Sequence, residues 1–225
     1  MTGALQRLGR KDEHSPSFAD RDALERLVQV KVHKAQTEKG QPVGIRTGLL
    51  VLDTLLLGWL PGEFILIQGK PGVGKSWLLL YMACVAYKEE AKVLLVSPEM
   101  SKLEQGLRWD VLMAALYEQQ FSHSELLIGK VDLKQYEKWL KGLTKRADFP
   151  IVDAVDRGGF TLNSILDLVE EHRPGVLAVD GLHLIQSTRE ENKGWETMKE
   201  VVDGLKNAAQ YYHMVVLAVN QAQRG

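Results

Sequence analysis

Residues Glu63 to Tyr87 read EFILIQGKPGVGKSWLLLYMACVAY. An apolar run enters a loop of small residues, and a long apolar segment leaves it. Gly69-Lys70-Pro71-Gly72-Val73-Gly74-Lys75-Ser76 has the spacing G-x-x-x-x-G-K-[ST] of a phosphate-binding P-loop. Glycines let backbone N–H groups curl around an anion, and the amino end of a following helix adds favourable partial charge. Phe64 to Gln68 reads as a short buried strand. Trp77 to Tyr87 is apolar for about three turns without Pro or Gly and reads as a buried helix. In this context Lys75 reaches the β- and γ-phosphates of ATP, and the Ser76 hydroxyl ligates Mg²⁺. Gly69 to Ser76 and the adjacent Trp77 are the candidate cofactor-binding residues.

The chain has 225 residues, enough for one α/β domain with a well-buried core. A net charge of −1 gives no global basic field, so any contact with a polyanion has to be local. The single cysteine, Cys84, excludes a disulfide framework and fits a reducing cytoplasm. The six histidines lack metal-ligand spacing. No apolar run reaches membrane-spanning length, and the N-terminus lacks a signal-peptide core, so no membrane partner is expected.

Residues Met1 to about Ser17 are polar and read as a mobile tail. Ala19 to Glu38 carries Ala23, Leu24, Leu27, Val28, Val30 and Val32 at mostly helical spacing, and reads as one amphipathic helix. Gly40, Pro42 and Gly44 then break the pattern. Beyond the P-loop unit the chain alternates. Strands are expected at Lys92–Ser97, Ile151–Val155, Val176–Asp180 and Met214–Asn220. Helices are expected at Lys102–Tyr117, Ser122–Ile128, Leu133–Arg146, Leu162–His172 and Glu196–Tyr211. Continuous apolar strands separated by helices predict an α/β fold with a mainly parallel sheet covered on both faces.

Ligands of such sheets bind beyond the carboxyl ends of the strands. The polar residues there are Glu99 after "VSPEM", Asp180 after "VLAVD", and Asn220 and Gln221 after the last strand. Asp180 fits the acid that holds Mg²⁺. Glu99 is the candidate general base for the water attacking the γ-phosphate, although a carboxylate there also suits the amino end of the next helix. Gln221 suits a hydrogen bond to the γ-phosphate or to that water. Many P-loop ATPases place a glutamate directly after the Mg²⁺-binding aspartate; here Gly181 occupies that position.

Four stretches resemble the ATPase domain of DnaB-type replicative helicases: "GIRTGLLVLDTLLLGWLPGEFILIQGKPGVGKS", "VLLVSPEMSKLEQGLR", "LAVDGLHLIQ" and "LKNAAQYYHMVVLAVNQAQRG". The second has the family's S-x-E-M with its Gln and Arg following at the expected spacing. Order and spacing are similar from about Gly44 to Arg224. The resemblance implies a RecA-like fold, with residues 1–18 as tail, 19–43 as linker helix and connection, and 44–225 as ATPase domain. It implies Glu99, Lys75 and Gln221 in catalysis, and Ser76 and Asp180 at the metal. Arg189 and Lys193 match the family's first pore loop, which tracks the DNA backbone. The Ala19–Glu38 helix matches the linker that docks on an adjacent subunit. The implied activity is ATP hydrolysis at subunit interfaces of a ring, a hexamer by resemblance, translocating on single-stranded DNA with other replication proteins in a bacterial or phage-infected cell.

The chain departs from the family pattern at Gly181, His183 and Asn220, where Tyr, Gln and Ser are usual. The family's second DNA loop and arginine finger lie beyond the position of Gly225, so part of the family domain is expected to be missing. Two other readings stay open at this level. One is a RecA- or KaiC-like ATPase that does not unwind. The other is a nucleotide-binding assembly or loading partner with little turnover.

Overall fold

A computed structural model describes residues 23–38, 43–143, 147–187 and 194–221. They fall into two units that divide between Val43 and Gly44. The first unit contains helix α1 (Ala23–Glu38), on which Leu27, Val28, Val30 and Val32 are exposed. Residues 1–22, which include the expected tail and the expected start of this helix, lie outside the described residues.

The second unit is a sheet of five strands: β1 (Phe64–Gly69), β2 (Val93–Ser97), β3 (Ile151–Asp153), β4 (Val176–Asp180) and β5 (Val215–Gln221). Their spatial order is β1-β5-β4-β2-β3, and every neighbouring pair is parallel. All five carboxyl ends therefore open on one rim. The helices are α2 (Leu50–Leu56), α3 (Lys75–Lys88), α4 (Lys102–Leu116), α5 (His123–Leu127), α6 (Leu133–Leu143), α7 (Ala154–Arg157), α8 (Leu162–His172) and α9 (Trp195–Tyr211).

The central strands β2, β4 and β5 are apolar up to their carboxyl ends because both faces are covered, whereas β1 is only partly buried and exposes Leu66. On β2, β4 and β5, Leu95, Val176, Ala178, Val215, Leu217 and Val219 enter one core with α3, α4 and α6. The alternate residues Leu94, Val96, Leu177, Val179, Val216 and Ala218 enter a second core with α8 and α9. Helix α3 is the most enclosed: Leu79, Leu80 and Met82 to Tyr87 are all buried. Cys84 is among them, and burial pushes its thiol pKa well up, with the charge of Asp110 adding to the effect.

Two elements differ from expectation. The strand expected over Ile151–Val155 ends at Asp153, and the chain winds into α7. Asp153 turns its carboxylate to the amino end of α4, accepting the Lys102 N–H at 2.6 Å. Helix α2 lies in a leucine-rich stretch that has no helical periodicity of its own. It is held at its start by Asp53, whose Oδ1 accepts the Thr47 N–H at 2.6 Å, with no side-chain cap at Leu49.

Candidate nucleotide and metal site

The P-loop leaves β1 and turns directly into α3. Gly72 and Gly74 take φ of 77° and 91°, a region that disfavours side chains. A Cβ at either glycine would meet nothing within 4 Å, so the loop faces open space. Gly74 is the N-cap of α3 and offers no side chain to the first-turn N–H groups. Those donors, with the positive end of a 14-residue helix, form an anion cradle. Lys75 is buried, and its Nζ donates to the Lys70 carbonyl at 2.8 Å, which folds the ammonium back over the loop. Trp77 lies in the first turn of α3. Its ring meets the edge of His123 at 5.1 Å, and the Arg108 guanidinium lies 5.1 Å from its centroid.

Asp180 ends β4 and is fully buried. Its Oδ1 accepts from Ser76 Oγ at 2.8 Å, and its Oδ2 accepts from Gln105 Nε2 at 2.8 Å. A hydroxyl and a carboxylate converging beside an anion cradle are the hard oxygen donors that Mg²⁺ takes, together with phosphate oxygens. The residues present therefore fit a Mg²⁺–nucleotide. Hollows of about 500 Å³ occur elsewhere, one lined by Tyr117, Gln135, Lys138 and Trp139, and another by Leu56, Trp59, Phe64 and Val202.

Glu99 is exposed, in the turn between β2 and α4. Gly181 has φ of 122°, and a Cβ built there would stand 3.8 Å from Glu99 Cβ. Glu99 thus stands beside the position directly after Asp180. Gln221 is half-buried at the end of β5, in register with Gly69 at the start of the P-loop. Asn220 Oδ1 is buried without a hydrogen-bond partner among the described residues. Arg189, Lys193 and Arg224 lie outside the described residues.

The structure thus brings Lys75, Ser76, Asp180, Glu99 and Gln221 to one rim. The sequence reading missed the roles of Gln105, Ser97 and Asp153 there. Gln105 was visible only as a spacing after Glu99-Met100. Ser97 was visible only as the serine of S-x-E-M, and Asp153 carried no local signal.

A parallel sheet with this loop, and with an acid on a strand that is not its neighbour, defines a P-loop NTPase fold of the RecA-like kind. The family profile described as "DnaB-like helicase C terminal domain" matches residues 44–225, and the chain belongs to that family. It is 26% identical over 198 residues to the "Probable replicative DNA helicase" of Trieres chinensis, covering 85% of this chain and 42% of the relative. It is 27% identical over 208 residues to the "Replicative DNA helicase DnaC" of Bacillus subtilis (strain 168), covering 88% and 44%. The chain therefore spans less than half the length of these relatives. The solved structure described as "ATPase Domain of G40P" superposes with a TM-score of 0.76 at 22% identity, over 93% of this chain and 73% of that one. A second, "The Structure Of A DnaB-Like Replicative Helicase And Its Interactions With Primase", gives 0.74 at 21% identity, over 98% and 52%. Both show the same fold. Among the described residues, no helix is long and apolar enough to cross a membrane.

Proposed function

We infer that this chain is the ATPase motor of a replicative DNA helicase, hydrolysing ATP with Mg²⁺ to move on single-stranded DNA. The observation that carries this reading is the convergence of the P-loop, Ser76, Asp180 and Glu99 on one rim of the sheet. Family membership and the names of the relatives give the motor its substrate class.

In this reading the loop N–H groups and Lys75 hold the β- and γ-phosphates. Ser76 and Asp180 would hold Mg²⁺, which when bound would supply positive charge against the phosphates. Glu99 takes a proton from the attacking water, and its exposure leaves room for that water at the rim. Gln221, in register with Gly69, would hydrogen-bond the γ-phosphate or the attacking water and couple it to the DNA loops. Residues 19–38 serve as the linker of a ring, hexameric by resemblance, and Arg189 and Lys193 contact the DNA backbone. Primase and other replication proteins are the expected partners, in the cytoplasm of a bacterial or phage-infected cell.

The test is ATP turnover with and without single-stranded DNA, beside a forked-duplex unwinding assay, with Lys75→Ala as the blank. DNA-stimulated turnover and unwinding, both lost in Lys75→Ala, support the motor. Turnover without unwinding turns the assignment to a non-unwinding ATPase. Tight ATP binding without turnover turns it to an assembly or loading partner.

A further inference from the structure

A directional chain of hydrogen bonds runs beneath the rim. Ser97, the last residue of β2, is fully buried, and its Oγ donates to the Met100 carbonyl at 2.7 Å. The same oxygen accepts the Met100 N–H at 3.3 Å and Gln105 Nε2 at 3.1 Å. This closes the turn on which Glu99 sits. Ser101 then caps α4 by accepting the Glu104 N–H at 3.3 Å, so the turn is fixed at its far side as well.

Gln105 is 1% exposed, and its Nε2 also donates to Asp180 Oδ2 at 2.8 Å. The same nitrogen also faces Met100 Sδ at 3.7 Å, but its two short contacts, to Ser97 and Asp180, take up both amide hydrogens. The reverse amide orientation would set Oε1 against a carboxylate oxygen, so the network fixes the orientation. Gln105 Oε1 is left buried without a hydrogen-bond partner among the described residues. A buried group that leaves one of its own atoms unmatched is held there by its other contacts.

We propose that Gln105 is a positioning residue that couples the metal-binding carboxylate of Asp180 to the turn carrying Glu99. The proposal rests on the reading of the rim as a Mg²⁺–nucleotide site. A neutral donor suits this place. It orients the Asp180 carboxylate while leaving its full negative charge for the cation, which a Lys or Arg would cancel. Because the second amide hydrogen holds Ser97, displacement of Asp180 toward a metal is transmitted to the Met100 carbonyl and hence to Glu99. The link joins metal binding to placement of the base within one subunit.

The experiment is a Mg²⁺ titration of labelled-ATP binding, read by fluorescence anisotropy, beside turnover. Gln105→Met keeps the side-chain length and removes the amide; Gln105→Asn, which keeps the amide and shortens its reach, replaces it if the first does not fold. Either variant is expected to bind ATP in EDTA like the parent, and to need about 10- to 100-fold more Mg²⁺ for half-saturation. Ser97→Ala is expected to leave the Mg²⁺ requirement alone and to lower turnover about 10-fold, with no further loss when combined with Glu99→Gln. A Gln105 variant that weakens binding equally with and without Mg²⁺, or leaves the Mg²⁺ requirement within twofold, overturns the coupling. A Lys75→Ala protein that binds ATP as well as the parent overturns the site reading, and the coupling with it.

Discussion

The Ser76 hydroxyl and the Asp180 carboxylate, 104 residues apart in the chain, meet at 2.8 Å. One stands on the helix after the P-loop, the other at the end of a strand two places across the sheet. If they share a metal, each is needed by the other. Asp180→Asn keeps the shape and removes the charge. It should lower Mg²⁺ affinity by about 100-fold or more in a titration with ATP bound, and Ser76→Ala should act in the same direction. Metal-independent ATP binding, measured in EDTA, should change little in either.

Glu99, the proposed base, should separate binding from chemistry. Its side chain is exposed and makes no part of the anion cradle. Glu99→Gln should therefore hold ATP with near-parental affinity and lose turnover by about 10²- to 10⁴-fold. Equal losses in affinity and turnover would place Glu99 in binding instead.

Asp153 supports the site from below. Its carboxylate receives the first N–H of α4, the helix that carries Gln105, in a nearly dry position. Asp153→Ala strands that donor and should destabilise the fold by about 1–3 kcal/mol in urea unfolding. Asp153→Asn, which keeps an acceptor, should cost clearly less.

Asp110 gives a pH signature. It is buried, and burial raises its pKa above 3.8, although the Tyr136 hydroxyl, donating at 2.6 Å, pulls it part of the way back. A carboxyl raised on folding binds its proton more tightly in the native state. Its contribution is thus fully present below the unfolded pKa and is lost as pH rises through the folded one. Asp110→Asn keeps an acceptor for Tyr136 and removes this loss. Its melting temperature should exceed the parent's at pH 7, and the gap should close toward pH 4. A gap independent of pH would mean that packing, and not ionisation, sets the difference.

Gly44 is constrained by backbone. Its N–H donates to the Leu57 carbonyl at 3.0 Å, and a Cβ there would lie 2.4 Å from the Trp59 carbonyl oxygen. Neither partner is a side chain that can swing away. Gly44→Ala should therefore cost about 1–3 kcal/mol in denaturant unfolding.

The spacing of the P-loop and the apolar strand runs were legible in sequence because each is a local pattern. Asp180 was legible for the same reason, as a lone acid after four apolar residues. Strand order was not, because apolar runs buried on both faces carry no mark of their neighbours. Gln105 meets an oxygen of Asp180, 75 residues away, and no local window contains that relationship. Asp153 looked like one more strand residue, since its partner is the amino end of a helix 51 positions earlier. Helix α2 escaped because seven mostly leucine residues have no contrast of polar and apolar faces to read.

The strand order has a consequence for how the protein is made. β1 pairs only with β5 among the described strands, and β5 is the piece that joins it to β4. As the chain leaves the ribosome, the P-loop and Asp180 are both synthesised before Val215–Gln221. In the finished sheet, among the described strands, only Val215–Gln221 joins β1, which leads into the P-loop, to β4, which ends in Asp180. Nucleotide binding would then act as an inspection of the finished sheet: a nascent chain that lacks β5 would hold both halves of the proposed metal site without the strand that aligns them.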